Sequence, residues 1–245
     1  MRNIKLTIQY DGSRYHGWQR QPNGITIQEI LEDAIADVTG EKVTVYGCGR
    51  TDAGVHAKAY VCNFFTETRF DASRFKYAIN SRLPDDIVCF ESEEVPESFD
   101  SRWSERKTYT YVIKNSEFPD AFSNGRVWHN PRPLDVDAMK EGAKAFIGEH
   151  DFIGFASSGF TVKTTVREIY SFTVDKNDDI ITLSVTGNGF LYNMVRIMVG
   201  TLVLCGTGKI SPDDMPDIVN SCDRSRAGAT APPDGLYLTE VIYEN

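Results

Sequence analysis

Cysteine and histidine are scarce in this chain, and neither residue follows the spacing of a structural or catalytic cluster. Five cysteines are scattered without paired spacing, and their odd number argues against a disulfide framework. The four histidines are just as dispersed, so no metal site is predicted. We therefore expect reduced thiols in a cytoplasmic protein that holds no metal.

Long apolar runs and nucleotide-binding fingerprints are also missing. The most apolar stretch, 191–204, is interrupted by Asn193 and Arg196 and is too short to span a bilayer. The first residues enter a strand pattern directly, so no signal peptide and no membrane association are expected. Gly47-Cys48-Gly49 lacks the third glycine and the following helix of a dinucleotide site. With no phosphate loop either, the sequence predicts no cofactor.

Positive charge is in deficit, with 26 Lys and Arg against 35 Asp and Glu and a net charge of −9. Taken alone, this balance argues against a nucleic-acid partner. It describes the average charge and not the local field, however. Basic residues cluster at Arg102, Arg106 and Lys107, and again at Lys163 and Arg167. Charge therefore neither supports nor excludes an RNA substrate.

The chain is long enough for one large domain or two small ones, and 41% hydrophobic residues fit a globular core. Periodicity in the first part predicts strand, helix, strand, strand, helix, strand. The strands are expected at 3–10, 42–47, 60–66 and 87–95. The first helix begins at a capping box of Thr26 and Glu29 and ends at Gly40; the second covers 75–83.

A similar order of elements follows in the second part. Strands are predicted at 107–114, 167–174, 180–186 and 236–243, with helices at 136–147 and 191–204 and a short helix from Ser211. Two such units indicate an α+β architecture with a largely antiparallel sheet and helices on one face. Because the junction falls within 96–106, we predict an N-terminal half, 1–105, and a C-terminal half, 106–245.

One stretch, Tyr46 to Ala57, combines three glycines with an arginine and a carboxylate. It follows a strand pattern, so Asp52 is expected on a rigid rim where chemistry is often placed. Arg50 lies two residues earlier, close enough to pair with Asp52. Thr51-Asp52-Ala53-Gly54 is also ordinary turn chemistry, and local sequence alone favours that simpler interpretation.

Nine consecutive residues of this stretch resemble the catalytic motif of the tRNA pseudouridine synthase A family. They are Gly49-Arg50-Thr51-Asp52-Ala53-Gly54-Val55-His56-Ala57. The resemblance covers nearly the whole chain. Further matching blocks, in the expected order, are Tyr10-Asp11-Gly12, Gly17-Trp18-Gln19-Arg20-Gln21, Asn80-Ser81-Arg82-Leu83-Pro84, Tyr109-Thr110-Tyr111, Asn188-Gly189-Phe190, 194–200 and 231–238. A nine-residue match with these flanking blocks reverses the local preference for a simple turn at Asp52.

The resemblance implies the pseudouridine synthase fold, with two βαββαβ-like halves and a central cleft. It assigns the catalytic carboxylate to Asp52 and the substrate-contacting tyrosine to Tyr109. It implies that Arg196 pairs with Asp52; Asp11 is an alternative acidic partner for Arg196. Arg50 is expected to contact the substrate by filling the space that the displaced base leaves, and to keep Asp52 ionised. His56 receives no catalytic role and is expected to pack or to contact RNA. For the loop 13–23, RNA stacking and a core anchor at Trp18 are weighed equally.

The implied activity is a cofactor-free isomerisation of uridine to pseudouridine at positions 38, 39 and 40 of the tRNA anticodon stem-loop. The implied assembly is a homodimer that binds tRNA across both subunits. Asp52 is then a nucleophile that attacks C1′ or adds to C6, or a base that removes a ribose proton. Two other classes stay open: a non-catalytic RNA-binding protein and an N-glycoside hydrolase, although a hydrolase usually has a second carboxylate.

Overall fold

The computed structural model describes residues 1–159 and 162–244, which contain ten strands and five α-helices. In chain order these are β1 (Arg2–Tyr10), α1 (Ile27–Thr39), β2 (Tyr46–Gly47), β3 (His56–Thr66), α2 (Phe75–Asn80), β4 (Ile87–Val95), β5 (Arg106–Lys114), β6 (Trp128–His129), α3 (Val136–Ala143), β7 (Gly148–Asp151), β8 (Val166–Asn177), β9 (Ile180–Gly187), α4 (Met194–Gly206), α5 (Met215–Asn220) and β10 (Leu236–Ile242). Most strand pairs are antiparallel, so the predicted α+β class is confirmed.

The chain forms two compact units. The first contains 1–105 together with 237–245, and the second contains 106–236. The halves expected from the sequence were 1–105 and 106–245. The last nine residues belong to the first unit because Tyr237 and Leu238 pair in parallel with His56 and Ala57 of β3.

The first unit has β1 at the centre of its sheet, with β3 and β4 antiparallel on either side. β2 pairs with β3 at Asn63 and Cys62, and β10 pairs with β3 nearer its start. The second face of β1 is covered as well, since Asn3 is buried and donates to the carbonyls of Pro96 and Phe99. The alternation of apolar and polar residues along β1 therefore does not correspond to one buried and one solvated face at this position.

The second unit has the strand order β5, β9, β8, β7, all antiparallel, with β6 parallel to β5. The buried face of β5 carries Tyr109, Tyr111 and Ile113 at alternate positions, as a period of two requires. β8 and β9, predicted as strands at 167–174 and 180–186, form an antiparallel hairpin in which β8 extends to Asn177 and β9 begins at Ile180. Asp178 in the turn has φ 53°, a conformation that Asp tolerates better than most residues.

The predicted start and end of α1 are confirmed. The Thr26 hydroxyl accepts from the backbone N–H of Glu29, and Gly40 ends the helix with φ 76°. The reciprocal half of the capping box does not form in the way the motif suggests. The Glu29 carboxylate pairs instead with Arg20 at 3.3 Å.

The predicted strand at 42–47 is wrong for most of its length, because only Tyr46 and Gly47 pair. The Val45 N–H donates to the Glu32 carboxylate, and its carbonyl accepts from the Gln28 side chain. Because these backbone groups are bonded to side chains of α1, they are not bonded to a neighbouring strand. The alternation of apolar and polar residues in 42–47 reflects the burial of Val45 and not the pairing of a strand.

The apolar helix α4 forms as predicted but starts later, at Met194, and nearly all its residues are buried. The segment 228–231 packs closely along it. The Gly228 N–H donates to the Thr201 hydroxyl, and a Cβ on Gly200 would overlap the carbonyl oxygen of Ala229. Glycine at 200 is therefore required by the closeness of two backbones. No helix among the described residues is both long and apolar enough to cross a membrane.

Replacing Gly200 with alanine should lower stability by about 1–3 kcal/mol, because backbone must move to accommodate the methyl group. Gly142→Ala is the matched control, since Gly142 also lies in a helix and its nearest neighbours are flexible side chains. There, helix propensity favours alanine by about 0.5–1 kcal/mol. Urea unfolding of both variants measures the difference; equal effects would contradict the close packing at Gly200.

Candidate active site

Asp52 lies in the loop that joins the end of β2 at Gly47 to the start of β3 at His56. The backbone N–H of Val55 donates to the carbonyl of Asp52 at 3.1 Å, which closes a four-residue turn. The Asp52 residue is half-buried, while Arg50 before it is exposed. The carboxylate is thus held at a tight turn with part of its surface open to solvent.

Hydrogen bonds to residues of β3 and β1 hold the residues just before Asp52. The Cys48 N–H donates to the carbonyl of Val61 at 3.0 Å, and the Tyr60 hydroxyl donates to the carbonyl of Gly49. The hydroxyls of Thr51 and Tyr10 are 2.8 Å apart and both side chains are buried. Each bond replaces a bond to water in a buried position, so breaking one leaves a polar group unsatisfied.

The opposite side of the loop is held by residues 12–18, which we call the clamp segment. The Trp18 N–H donates to the carbonyl of Thr51, and the Gly54 N–H donates to the carbonyl of Tyr15, both at 3.2 Å. These two bonds flank Asp52 on either side in sequence. The Asp52 backbone is therefore held in place through the bonds of Thr51 and Gly54 to the clamp segment.

Two glycines let the clamp segment approach so closely. A Cβ at position 12 would overlap the carbonyl oxygen of Val55. A Cβ at position 17 would overlap the carbonyl oxygen of Thr51, and Gly17 also has φ +82°, which side chains rarely adopt. Any larger residue at these positions would push the two loops apart.

The aromatic residues of the clamp segment point inward. Tyr15 and Trp18 are buried, and the Trp18 ring stacks on Tyr60 at 4.1 Å. The Tyr15 hydroxyl donates to Asp86 at 2.5 Å, and burial followed by this bond raises the pKa of Tyr15 well above its usual range. The loop 13–23 thus anchors to the core through Trp18, and the alternative that its aromatics stack on RNA is not supported.

His56 is the polar anchor below the Asp52 turn. It is 1% exposed, and its Nδ1 accepts the backbone N–H of Gly12 at 3.0 Å. The Asp11 carboxylate is 3.2 Å from the same nitrogen. The Asp11 carboxylate also accepts from the backbone N–H and the hydroxyl of Ser13, so Gly12, Asp11 and Ser13 form one hydrogen-bonded group beside the His56 ring.

The His56 ring also stacks on the Tyr237 ring of β10, with the ring centres 4.6 Å apart. The Lys58 ammonium group lies over the Tyr237 ring. Because His56 is so deeply buried, it packs inside the first unit, which was one of its two expected roles. The other expected role, a direct contact with RNA, is not supported. Neither the sequence motif nor the spacing indicated its bond to Gly12. The pair of glycines before Trp18 was the available signal for the clamp segment.

The ion pair that was expected between Arg50 and Asp52 does not form. The Arg50 side chain forms no hydrogen bond or ion pair with any other residue in 1–159 or 162–244, so the predicted Arg50–Asp52 pair is absent. An exposed ion pair of this kind contributes at most about 1 kcal/mol. Hydration of the guanidinium competes well with such a weak interaction. Arg50 consequently presents a charge to solvent beside Asp52 in sequence.

Tyr109 occupies the second unit, on the buried face of β5. It is 9% exposed and packs edge-on against Phe190 with ring centres 5.2 Å apart. Tyr111, two residues on, is fully buried and its hydroxyl donates to the carbonyl of Pro232. The second tyrosine of the pair is therefore a core residue, while the first lies nearer the surface.

Arg196 is half-buried on α4 rather than fully enclosed. Its Nε donates to the carbonyl of Ala231 and its Nη1 to the Asn193 side chain, both at 2.7 Å. The Ala231 N–H returns a bond to the Arg196 carbonyl. These contacts fix the guanidinium at the start of the helix and tie it to the segment 228–231.

A metal site needs several His, Cys, Asp or Glu side chains close together. Among 1–159 and 162–244, no three His, Cys, Asp or Glu side chains are arranged to hold an ion. All five cysteines are free thiols, four of them buried, and burial raises the pKa of Cys205 to about 11.

A family profile described as tRNA pseudouridine synthase matches residues 6–104 and 143–244. tRNA pseudouridine synthase A of Thermoanaerobacter sp. strain X514 is 49% identical over 99% of this chain and 100% of its own length. That of Acetivibrio thermocellus is 50% identical with the same coverage. This chain belongs to the tRNA pseudouridine synthase family.

Solved structures add only a weak similarity. A Cbf5–Nop10–Gar1 complex matches at a TM-score of 0.41 and 12% identity, over 96% of this chain and 48% of the other. Within the tRNA pseudouridine synthase family match, the first segment includes Asp52, His56 and the whole clamp segment. The second segment includes Arg196 but begins after Tyr109.

His56→Phe should keep the stack on Tyr237 but leave the buried Gly12 N–H without an acceptor, at a cost of about 1–3 kcal/mol. His56→Asn places an amide oxygen near the Nδ1 position and should restore part of that loss. Hydrogen exchange at the Gly12 and Gly54 amides measures the effect, with exchange in the Phe variant faster by roughly tenfold or more. Equal protection in both variants would show that the His56–Gly12 bond does not hold the loop.

Proposed function

We propose that this chain isomerises uridine to pseudouridine in tRNA, at positions 38, 39 and 40 of the anticodon stem-loop. The observation that carries the proposal is the placement of Asp52, a half-buried carboxylate on a doubly fixed turn inside a segment that matches the family. The relatives that match over their whole length are named tRNA pseudouridine synthase A, which supports the reaction in tRNA; the three target positions rest on the motif resemblance.

The reaction explains why one positioned carboxylate suffices. The bond between uracil N1 and ribose C1′ breaks, the base turns, and a new bond forms between C5 and C1′. The proton on C5 leaves to solvent and N1 gains one, so the reaction is redox-neutral and needs no external electron carrier. Asp52 attacks C1′, adds to C6 or removes a ribose proton; each route needs an ionised carboxylate held in a fixed position.

The other proposed roles follow from exposure and partners. Arg50 is an exposed cation that forms no ion pair or hydrogen bond through its side chain within 1–159 and 162–244, so its charge is available to RNA. Tyr109 contacts the target base, since it lies nearer the surface than Tyr111 on the same face of β5. Arg196 acts as a cation for Asp52, held ready by Ala231 and Asn193. A paired target base must leave its stack first, at a cost of a few kcal/mol.

Assembly and location belong to the same proposal. We expect a homodimer that binds one tRNA across both subunits, and sedimentation with and without tRNA measures it. A cytoplasmic location agrees with five free cysteines, of which four are buried and one, Cys222, is exposed.

Asp52→Asn should abolish turnover while tRNA binding stays within a few-fold of wild type, because the amide keeps the shape of the turn but cannot act as nucleophile or base. The assay is tritium release from tRNA labelled at C5 of uridine. Release without loss of the base indicates the isomerase; free uracil indicates a hydrolase, and binding without release an RNA-binding protein. If Asp52→Asn loses folding and binding together, Asp52 is a structural turn residue.

Position specificity has its own test. Three tRNA transcripts, each with a single uridine at position 38, 39 or 40 of the stem-loop, should all release tritium from that uridine. A transcript with uridines only outside these positions is the matched control and should release none. Release from the control at a similar rate would overturn the proposed target positions while leaving the isomerase activity in place.

A further inference from the structure

Arg167 is a half-buried arginine near the start of β8 whose guanidinium is fixed on one side only. Its Nη1 donates to the carbonyl of Thr164 at 2.9 Å and to the carbonyl of Val166 at 2.6 Å. These two bonds set the direction of the planar group. The other edge, formed by Nε and Nη2, makes no hydrogen bond to any residue of 1–159 or 162–244.

No carboxylate of the described chain neutralises this charge. Burial lowers the pKa of Arg167, and no acidic neighbour raises it. Glu168 of β8 lies opposite Glu149 of β7 in the strand register, one position away from the Arg167 and His150 pair. Because side chains alternate along a strand, both glutamates point to the face of the sheet opposite to Arg167. Arg2 and Arg102, by contrast, form ion pairs with Glu94 and Asp100.

The open edge of Arg167 lies beside a glycine. A Cβ built on Gly189 would be 3.5 Å from Nε and 3.7 Å from Cδ of Arg167, within ordinary contact distance. Any side chain at 189 would therefore stand against the edge that has no protein partner. Glycine leaves that space open.

The same loop connects Arg167 to the proposed base-contacting residue. The Asn188 N–H donates to the carbonyl of Glu168, and the Asn188 side chain accepts the Glu168 N–H, so the loop is locked to β8. Phe190, next after Gly189, packs against Tyr109. Arg167 and Tyr109 are thus held by one rigid segment of the second unit.

We propose that the Nε–Nη2 edge of Arg167 binds a phosphodiester of the RNA strand, with Gly189 providing the space, close to the nucleotide that Tyr109 contacts. The fork of an arginine matches two phosphate oxygens, and bonds between charged groups are the strong ones. The two carbonyl bonds orient the fork before the ligand arrives, so little side-chain entropy is lost on binding. This inference rests on the proposed tRNA substrate.

The test is tRNA binding over a series of salt concentrations, measured in an Asp52→Asn background so that no turnover occurs. Arg167→Gln should weaken binding by roughly tenfold or more and reduce the slope of log K against log salt by about 0.7–0.9, the value for one phosphate contact. Arg167→Lys should weaken binding but keep most of the slope, since it retains the charge without the fork.

Two further variants separate a lost contact from damaged folding. Gly189→Val keeps Arg167 but fills the space beside its open edge, and should weaken binding with an unchanged melting temperature. Lys140→Gln removes an exposed charge that is paired with Asp137, and should change neither affinity nor slope. Unchanged affinity and slope in Arg167→Gln would overturn the phosphate contact. If the background protein binds no tRNA at all, the proposed substrate fails instead.

Discussion

The structure of the first unit depends on how closely two loop backbones approach each other around Asp52. Bonds from Trp18 to Thr51 and from Gly54 to Tyr15 place the turn between fixed points, and Gly12 and Gly17 have no Cβ to keep the loops apart. The proposed role of Asp52 depends on such rigidity, because small displacements of a reacting group cost large factors in rate. The core residues behind it, Tyr60 and Trp18, form the stacked support on which this arrangement rests.

Sequence patterns predicted the elements whose hydrogen bonds are local or whose burial is periodic. α1 has its Thr26 cap and Gly40 end, and β4 begins at Ile87 and ends at Val95 as expected. The expected strand at 42–47 failed because its backbone groups bond to Gln28 and Glu32, which are far away in sequence. No periodicity reports where a side chain thirteen or more residues away will point. The short strands β6 and β7 were missed for a related reason: two to four residues carry too little pattern.

The candidate site shows the same division. The nine-residue motif predicts Asp52 as the catalytic carboxylate, and that role stays a prediction. The motif does not indicate which contacts hold the Asp52 turn in place. Tyr15, Trp18 and His56 looked like possible RNA contacts in a list of aromatic and basic residues. Burial decides otherwise for all three, since their rings lie inside the unit. The Arg50–Asp52 pair failed for the opposite reason: nearness in sequence does not outweigh the hydration of an exposed guanidinium.

Net charge is a poor guide to the partner of this protein because it does not distinguish the cations that are paired with acids from those that are not. Glu93 and Glu94 of β4 neutralise Lys5 and Arg2 of β1, and Glu29 and Glu32 do the same for Arg20. Such pairs contribute nothing to the attraction of a polyanion, whatever the sum of charges. The cations that can bind phosphate are those left without an acidic partner, and a net charge of −9 conceals them. Arg50 beside Asp52 in sequence and Arg167 beside the Tyr109 loop are two such cations, one in each unit. An acidic protein can therefore bind RNA, provided that its unpaired cations lie where the strand must pass.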